Sequence, residues 1–132
     1  MSRKSAHLEM IQSVVRRMTW GSRLVKLWSL LIASALMVLA ADARYARFGW
    51  LALFMAIAFW VLDAHYLRQR RLFVATRERV ERLDEAAVDF SMDTAPVDDE
   101  SSSWGSVLLS KAAWVFHCSV IGGIGVARLL AR

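Results

Sequence analysis

From Leu27 to Ala41, and again from Phe48 to Leu62, the chain carries no charged residue, and only six positions separate the two runs. Each run of fifteen falls short of the roughly 20 residues that cross a bilayer, but amphipathic flanks lengthen both. The first extends from Leu24 to Ala41, where Lys26 can snorkel, and the second from Phe48 to Leu67 across Asp63. The pattern predicts a transmembrane helical hairpin. A hairpin buried inside a soluble bundle is the alternative, but the remaining polar sequence is too small to cover two helices that are apolar on every face. A hydrophobic fraction of 57%, against about 45–50% in soluble domains, points the same way because the excess is concentrated in these runs. Charged sequence precedes the first run and no small-residue cleavage site precedes a soluble domain, so the spans are expected to remain in the finished protein.

A net charge of +5 and a pI near 10.1 raise nucleic acid as a partner, yet the basic residues sit where a bilayer would place them. Arg3, Lys4, Arg16, Arg17, Arg23 and Lys26 precede the first span; Arg68, Arg70, Arg71, Arg77, Arg79 and Arg82 follow the second; the loop between has Arg44 and Arg47 with Asp42. By the positive-inside rule the N-terminus and the 68–103 segment are cytoplasmic and the loop faces outward. No nucleic-acid partner is expected. A lone Cys118 in an apolar stretch offers no metal-ligand spacing and reads as a small core residue.

Four regions follow. Residues 1–23 form a cytoplasmic amphipathic helix, with Leu8, Ile11, Val15 and Met18 at helical spacing and a bend expected at Gly21-Ser22. It lies in the headgroup layer or packs on a neighbouring subunit. Residues 24–67 are the hairpin. Residues 68–103 begin as a continuation of the second span, with Arg77 and Glu81, and Glu78 and Arg82, at i,i+4 spacing. Tyr66, Phe73 and Val80 recur every seven residues and, with Leu83, give this extension a stripe able to meet another helix. From Asp84 to Ser103 acidic and small residues, Pro96 and the run Asp98–Ser103 read as a linker, mobile at least in part. Residues 104–132 supply a third helix, Trp104 to Ala127 with the single charge Lys111, long enough to span; a re-entrant or interfacial helix is the alternative. Its Gly122, Gly123 and Gly125 permit close backbone approach in a membrane.

Three groups of residues carry the functional argument. Ser103, Ser106, Ser110, Trp114 and His117 are spaced three, four, four and three, which would align hydroxyls and an imidazole on one face of the third helix beside Lys111. In hydrocarbon such a face must meet protein or water, so it is a candidate pore lining or a helix interface. Lys26 opens the first span and Asp63 closes the second, and an antiparallel hairpin brings both to one boundary, where they can pair as a register device or a contact broken on opening. Arg68, Arg70 and Arg71, with His65, cluster just below the membrane. Anionic lipid is their plain partner, and a phosphate-bearing ligand the sharper one. Asp93 in Phe90–Thr94 caps a short helix or completes such a pocket.

Taken as a set, LEMIQSVVRRM at Leu8–Met18, LDAHYLRQRRLF at Leu62–Phe73, FSMDT at Phe90–Thr94 and SWGSVLLSKAAWVFH at Ser103–His117 resemble a family of small bacterial multi-pass membrane proteins. The family pattern has a second aromatic at His65, an acidic residue at Arg70 and a tyrosine at His117, where this chain departs from it. Its members resemble membrane components of antiphage defence loci, paired with a cytoplasmic sensor, often a TIR-type protein. The resemblance implies a pore-forming or membrane-disrupting effector in the bacterial inner membrane.

The expectation is therefore an all-α integral membrane protein, acting as a homo-oligomer because one copy encloses no pathway, with membrane lipids and a cytoplasmic sensor as partners. No cofactor and no catalytic or metal-binding residue is expected. A membrane-anchored scaffold for a cytoplasmic enzyme is the rival reading.

Overall fold

A computed structural model describes residues 2–97 and 102–130. Among them every regular element is helical: α1 Arg3–Ala40, α2 Phe48–Arg82, α3 Trp104–Leu108 and α4 Lys111–Leu130, with 3-10 turns at Ala43–Tyr45, Glu85–Ala87 and Ala95–Val97. The segments Asp98–Ser101 of the acidic run and Ala131–Arg132 lie outside the described residues.

Ser2 caps α1 by accepting from the Ser5 N–H, and the helix then runs for 38 residues without interruption. The helix does not break at Gly21-Ser22. Gly21 instead serves close packing: a Cβ there would stand 2.6 Å from Cε1 of Tyr66, so the bare backbone lets α1 lie directly against the α2 ring. Residues 1–23 are consequently not a separate helix but the first half of α1. At the other end Asp42 accepts from the Arg44 N–H at 2.8 Å and opens the 3-10 turn that reverses the chain into α2.

At about 1.5 Å per residue, α1 is roughly 57 Å and α2 roughly 52 Å long, against a hydrocarbon layer of about 30 Å. Both therefore project roughly 22–27 Å past the apolar zone, side by side. The stripe foreseen on the α2 extension does meet a helix, and that helix is the chain's own α1: Ile11, Val80 and Val88 form a buried cluster with Leu8, Val15, Phe73, Phe90 and Met92 around it. Leu8, Ile11 and Val15 of the amphipathic face of residues 1–23 are thus packed within the chain itself, a partner that the sequence reading did not foresee. Helix α2 ends at Arg82 with Leu83 extended, and Lys4 holds that end by donating to the Glu81 and Leu83 carbonyls at 2.7 and 2.8 Å.

The described part of the 84–103 segment is not a loose linker. Val88, Phe90 and Met92 point alternately into the α1–α2 tip and strap it, because one apolar residue in two is enough to anchor an extended chain. Phe90 takes a left-handed backbone conformation (φ 59°) and stacks on His7, with Arg3 over its outer face at 5.5 Å. Asp93 accepts from the Ala95 N–H at 3.0 Å and so caps the following 3-10 turn.

The third helix is two helices. Ser103 caps α3, which ends after five residues at Leu109, and α4 restarts at Lys111. Trp60 fixes the junction by donating Nε1–H to the Leu108 carbonyl at 3.2 Å. Helix α4 then runs along the hairpin to its loop end, where Arg128 donates to the Ala46 carbonyl at 3.1 Å and lies 4.6 Å over Trp50. Its 20 residues span about 30 Å, the depth of the hydrocarbon layer. Ala33, Ala52, Ala56 and Ile124 pack where the three long helices meet, small side chains allowing α1 and α2 to approach. Trp28, Leu31, Phe54 and Val126 face outward, an arrangement suited to lipid as the solvent.

Candidate functional site

One polar cluster ties all three long helices together at the end of this apolar zone away from the hairpin loop. Asp63 of α2 is fully buried, and its carboxylate accepts from three donors. Ser22 Oγ donates to Oδ1 in a short hydrogen bond, Lys26 Nζ donates to Oδ2 at 2.6 Å, and His117 Nε2 lies 3.0 Å from the same oxygen. Lys26 Nζ also reaches Ser22 Oγ at 3.1 Å, closing a ring of contacts on the α1 side. Because an ionised carboxylate only accepts, the proton it shares with the imidazole sits on Nε2.

The sequence positions each member. Ser22, Lys26, Ser29 and Ala33 step by four, three and four along α1 and form the face turned to α2. Ser22, Ser29 and Ala33 are buried, while the Lys26 side chain keeps 23% exposure, its stem covering apolar surface and its ammonium bent inward. On α4, Ala113 and His117 share the face turned to α2, and Trp60 stacks on the His117 ring with centroids 6.2 Å apart. A charged carboxylate in this setting would be costly alone; three donors convert the cost into a joint between helices. Close to the cluster, Nδ1 of His117 and Oγ of Ser29 are buried and have no hydrogen-bond partner among the described residues.

Lys26 and Asp63 thus meet in the hairpin, whereas the serine stripe does not form. The α3–α4 break sends its members in different directions. Ser103 caps α3, Ser106 accepts from Arg71 Nη1 at 3.3 Å, Ser110 sits in the junction with its Oγ buried, Lys111 and Trp114 are exposed, and His117 is buried against Asp63. A five-residue helix followed by a turn cannot hold positions 103–117 on one face. Arg68 donates Nε–H to the Ser102 carbonyl at 2.9 Å and lies 5.8 Å over Trp104, so it anchors the start of α3. Arg70 and Arg71 line a cavity of about 420 Å³ between α2 and the junction. His65 is exposed and stacks on Trp104.

Sequence reasoning missed Ser22, which it assigned to a bend, and the convergence of His117 on Asp63. The signal for Ser22 was present in the polar and small face 22, 26, 29, 33. Among the described residues no group of three His, Cys, Asp or Glu side chains could hold a metal ion.

Fold and site together define an all-helical membrane protein with three helices long and apolar enough to cross a bilayer. No protein-family model, curated protein or solved structure matches the chain.

Proposed function

We propose that this chain is a non-enzymatic effector of the bacterial inner membrane, held at rest by a latch that fastens α4 to the hairpin through Asp63. The carrying observation is the cluster itself: Ser22, Lys26 and His117 converge on one buried carboxylate from two other helices. Ionisable groups inside a span mark function by default. Hydrogen bonds between membrane helices are worth only about 0.6–2 kcal/mol each, so a partner binding the projecting tip could supply enough energy to open such a latch. Release of α4 would bare His117 and Asp63, and association with other copies is the way to cover them. The resulting homo-oligomer would be the leak. The resemblance to membrane components of antiphage loci supports the effector role and a cytoplasmic sensor, such as a TIR-type protein, as the trigger.

Ion flux from liposomes containing the purified protein tests this. His117→Leu and Asp63→Ala, which cut the latch, are expected to leak more than wild type, and Lys111→Ala, at an exposed position, to match it. If all variants stay tight under every stimulus, the latch does not gate a pore. The projecting pair α1–α2, with Arg16 and Arg17 exposed on its side, favours a second reading as a scaffold that restrains a cytoplasmic enzyme. A scaffold gives no flux and retains partner capture when the latch is cut.

A further inference from the structure

The break between α3 and α4 has no glycine or proline to cause it, and it interrupts an otherwise apolar helix at the edge of the membrane zone. What it creates is a second helix start at Ser110-Lys111-Ala112, of which Ser110 and Ala112 line a cavity against α2. The first N–H groups of a helix have no acceptor within it and carry its positive dipole end. Ser110 occupies the position whose hydroxyl ordinarily caps such a start, and its carbonyl accepts from the N–H groups of Ala113 and Trp114 at 3.0 and 2.9 Å. Its Oγ, however, is buried and bonds to nothing in the described structure. Opposite stand Arg70 and Arg71, and together Ser110, Ala112, Leu67, Arg70 and Arg71 line the cavity of about 420 Å³.

We infer that this cavity, formed by Arg70, Arg71, Ser110 and the first turn of α4, binds a phosphate ester anion at the lip of the bilayer. Four features converge on that chemistry. Guanidinium groups bind phosphate through paired N–H donors. A helix start adds backbone donors and a favourable dipole. The idle serine hydroxyl can donate to a phosphate oxygen, which accounts for its lack of a partner here. The Leu67 side of the cavity is apolar and continuous with the membrane zone, which suits the glycerol and first methylenes of an anionic lipid. Glu78 also lines the cavity, two turns beyond Arg71 on α2, and sets the end from which an anion is repelled. The site is independent of the latch and of any pore, because its evidence lies in other residues and its readout is binding.

The test uses full-length protein in neutral detergent, with thermal shift and native mass spectrometry as readouts and phosphatidylglycerol, phosphatidylcholine and soluble glycerol phosphate as probes. Phosphatidylglycerol is expected to bind and raise the Tm, and phosphatidylcholine to do neither. Glycerol phosphate producing the same shift at millimolar concentration would assign the site to a soluble phosphoester, and failing to do so assigns it to lipid. Arg70→Ala is expected to weaken binding about tenfold, the loss of one charge-assisted contact. Ser110→Val, which keeps the shape and removes the idle hydroxyl, is expected to weaken binding while leaving the ligand-free Tm unchanged or higher, so that a folding defect cannot account for it. Arg16→Ala, at an exposed basic residue elsewhere, is expected to bind as wild type. Equal losses in Arg16→Ala and Arg70→Ala would mean a diffuse surface charge and overturn the site, as would undiminished binding by both Arg70→Ala and Ser110→Val.

Discussion

Replacing Asp63 by alanine removes one side chain and three hydrogen bonds, from Ser22, Lys26 and His117. At roughly 1 kcal/mol per interhelical bond in a membrane, the loss is about 3 kcal/mol. Stranding a wholly buried ammonium would add to this, but the Lys26 side chain is 23% exposed and can straighten toward the headgroups, so no further charge penalty arises. Lys26→Met keeps the stem but takes the ammonium away from a carboxylate that is 0% exposed, stranding its charge, for a cost of about 3–5 kcal/mol. If the contact is real, the double variant costs less than the sum of the two by about 3 kcal/mol, because with the carboxylate gone no charge is left stranded. The assay is unfolding in mixed micelles as the mole fraction of sodium dodecyl sulfate rises, followed by circular dichroism. Additivity within about 0.3–0.5 kcal/mol would refute the cluster as an energetic joint.

Three further outcomes follow from particular contacts. Gly21→Ala is expected to destabilise by about 1–2 kcal/mol despite alanine's better helix propensity, because the new methyl meets the Tyr66 ring, whereas Gly122→Ala and Gly125→Ala, with open space at the Cβ position, are expected to stabilise by up to about 1 kcal/mol; micelle unfolding reads both. Lys4→Met is expected to speed amide exchange in the last turn of α2 by about fivefold, since the Glu81 and Leu83 carbonyls lose their cap, and unchanged exchange there would discount the contact. In a Cys118→Ser background, cysteines placed at Ala43 and at Leu130 are expected to label from the same side of the membrane, as the Arg128 contact with Ala46 requires; labelling from opposite sides would remove α4 as a span.

The hairpin was legible because it depends on one coarse property, the absence of charge over helical lengths, which no tertiary detail overrides. Lys26 and Asp63 were legible for a related reason: charges at the rims of an antiparallel pair have little else to meet. What the sequence concealed turned on tertiary context. Gly21-Ser22 looks identical whether a helix bends or another helix presses against it, and only the Tyr66 ring distinguishes the two. The serine spacing from 103 to 117 assumed one unbroken helix, and the Trp60 bond to the Leu108 carbonyl, from a residue far off in sequence, helps to end it. The strap at Val88–Met92 was hidden by its acidic surroundings, since three apolar residues in an otherwise polar stretch carry weak periodic signal.

Helix α1 passes without interruption from the His7–Phe90 contact at its tip to Ser22 and Lys26 at the carboxylate. A rod with no hinge cannot absorb a push locally. Under the proposed latch, a partner gripping the first three turns would act on the Asp63 cluster through that one continuous element. A glycine chosen for snugness rather than for bending keeps the shaft continuous, and that continuity is what the proposed latch would use to carry an event at the tip down to the carboxylate.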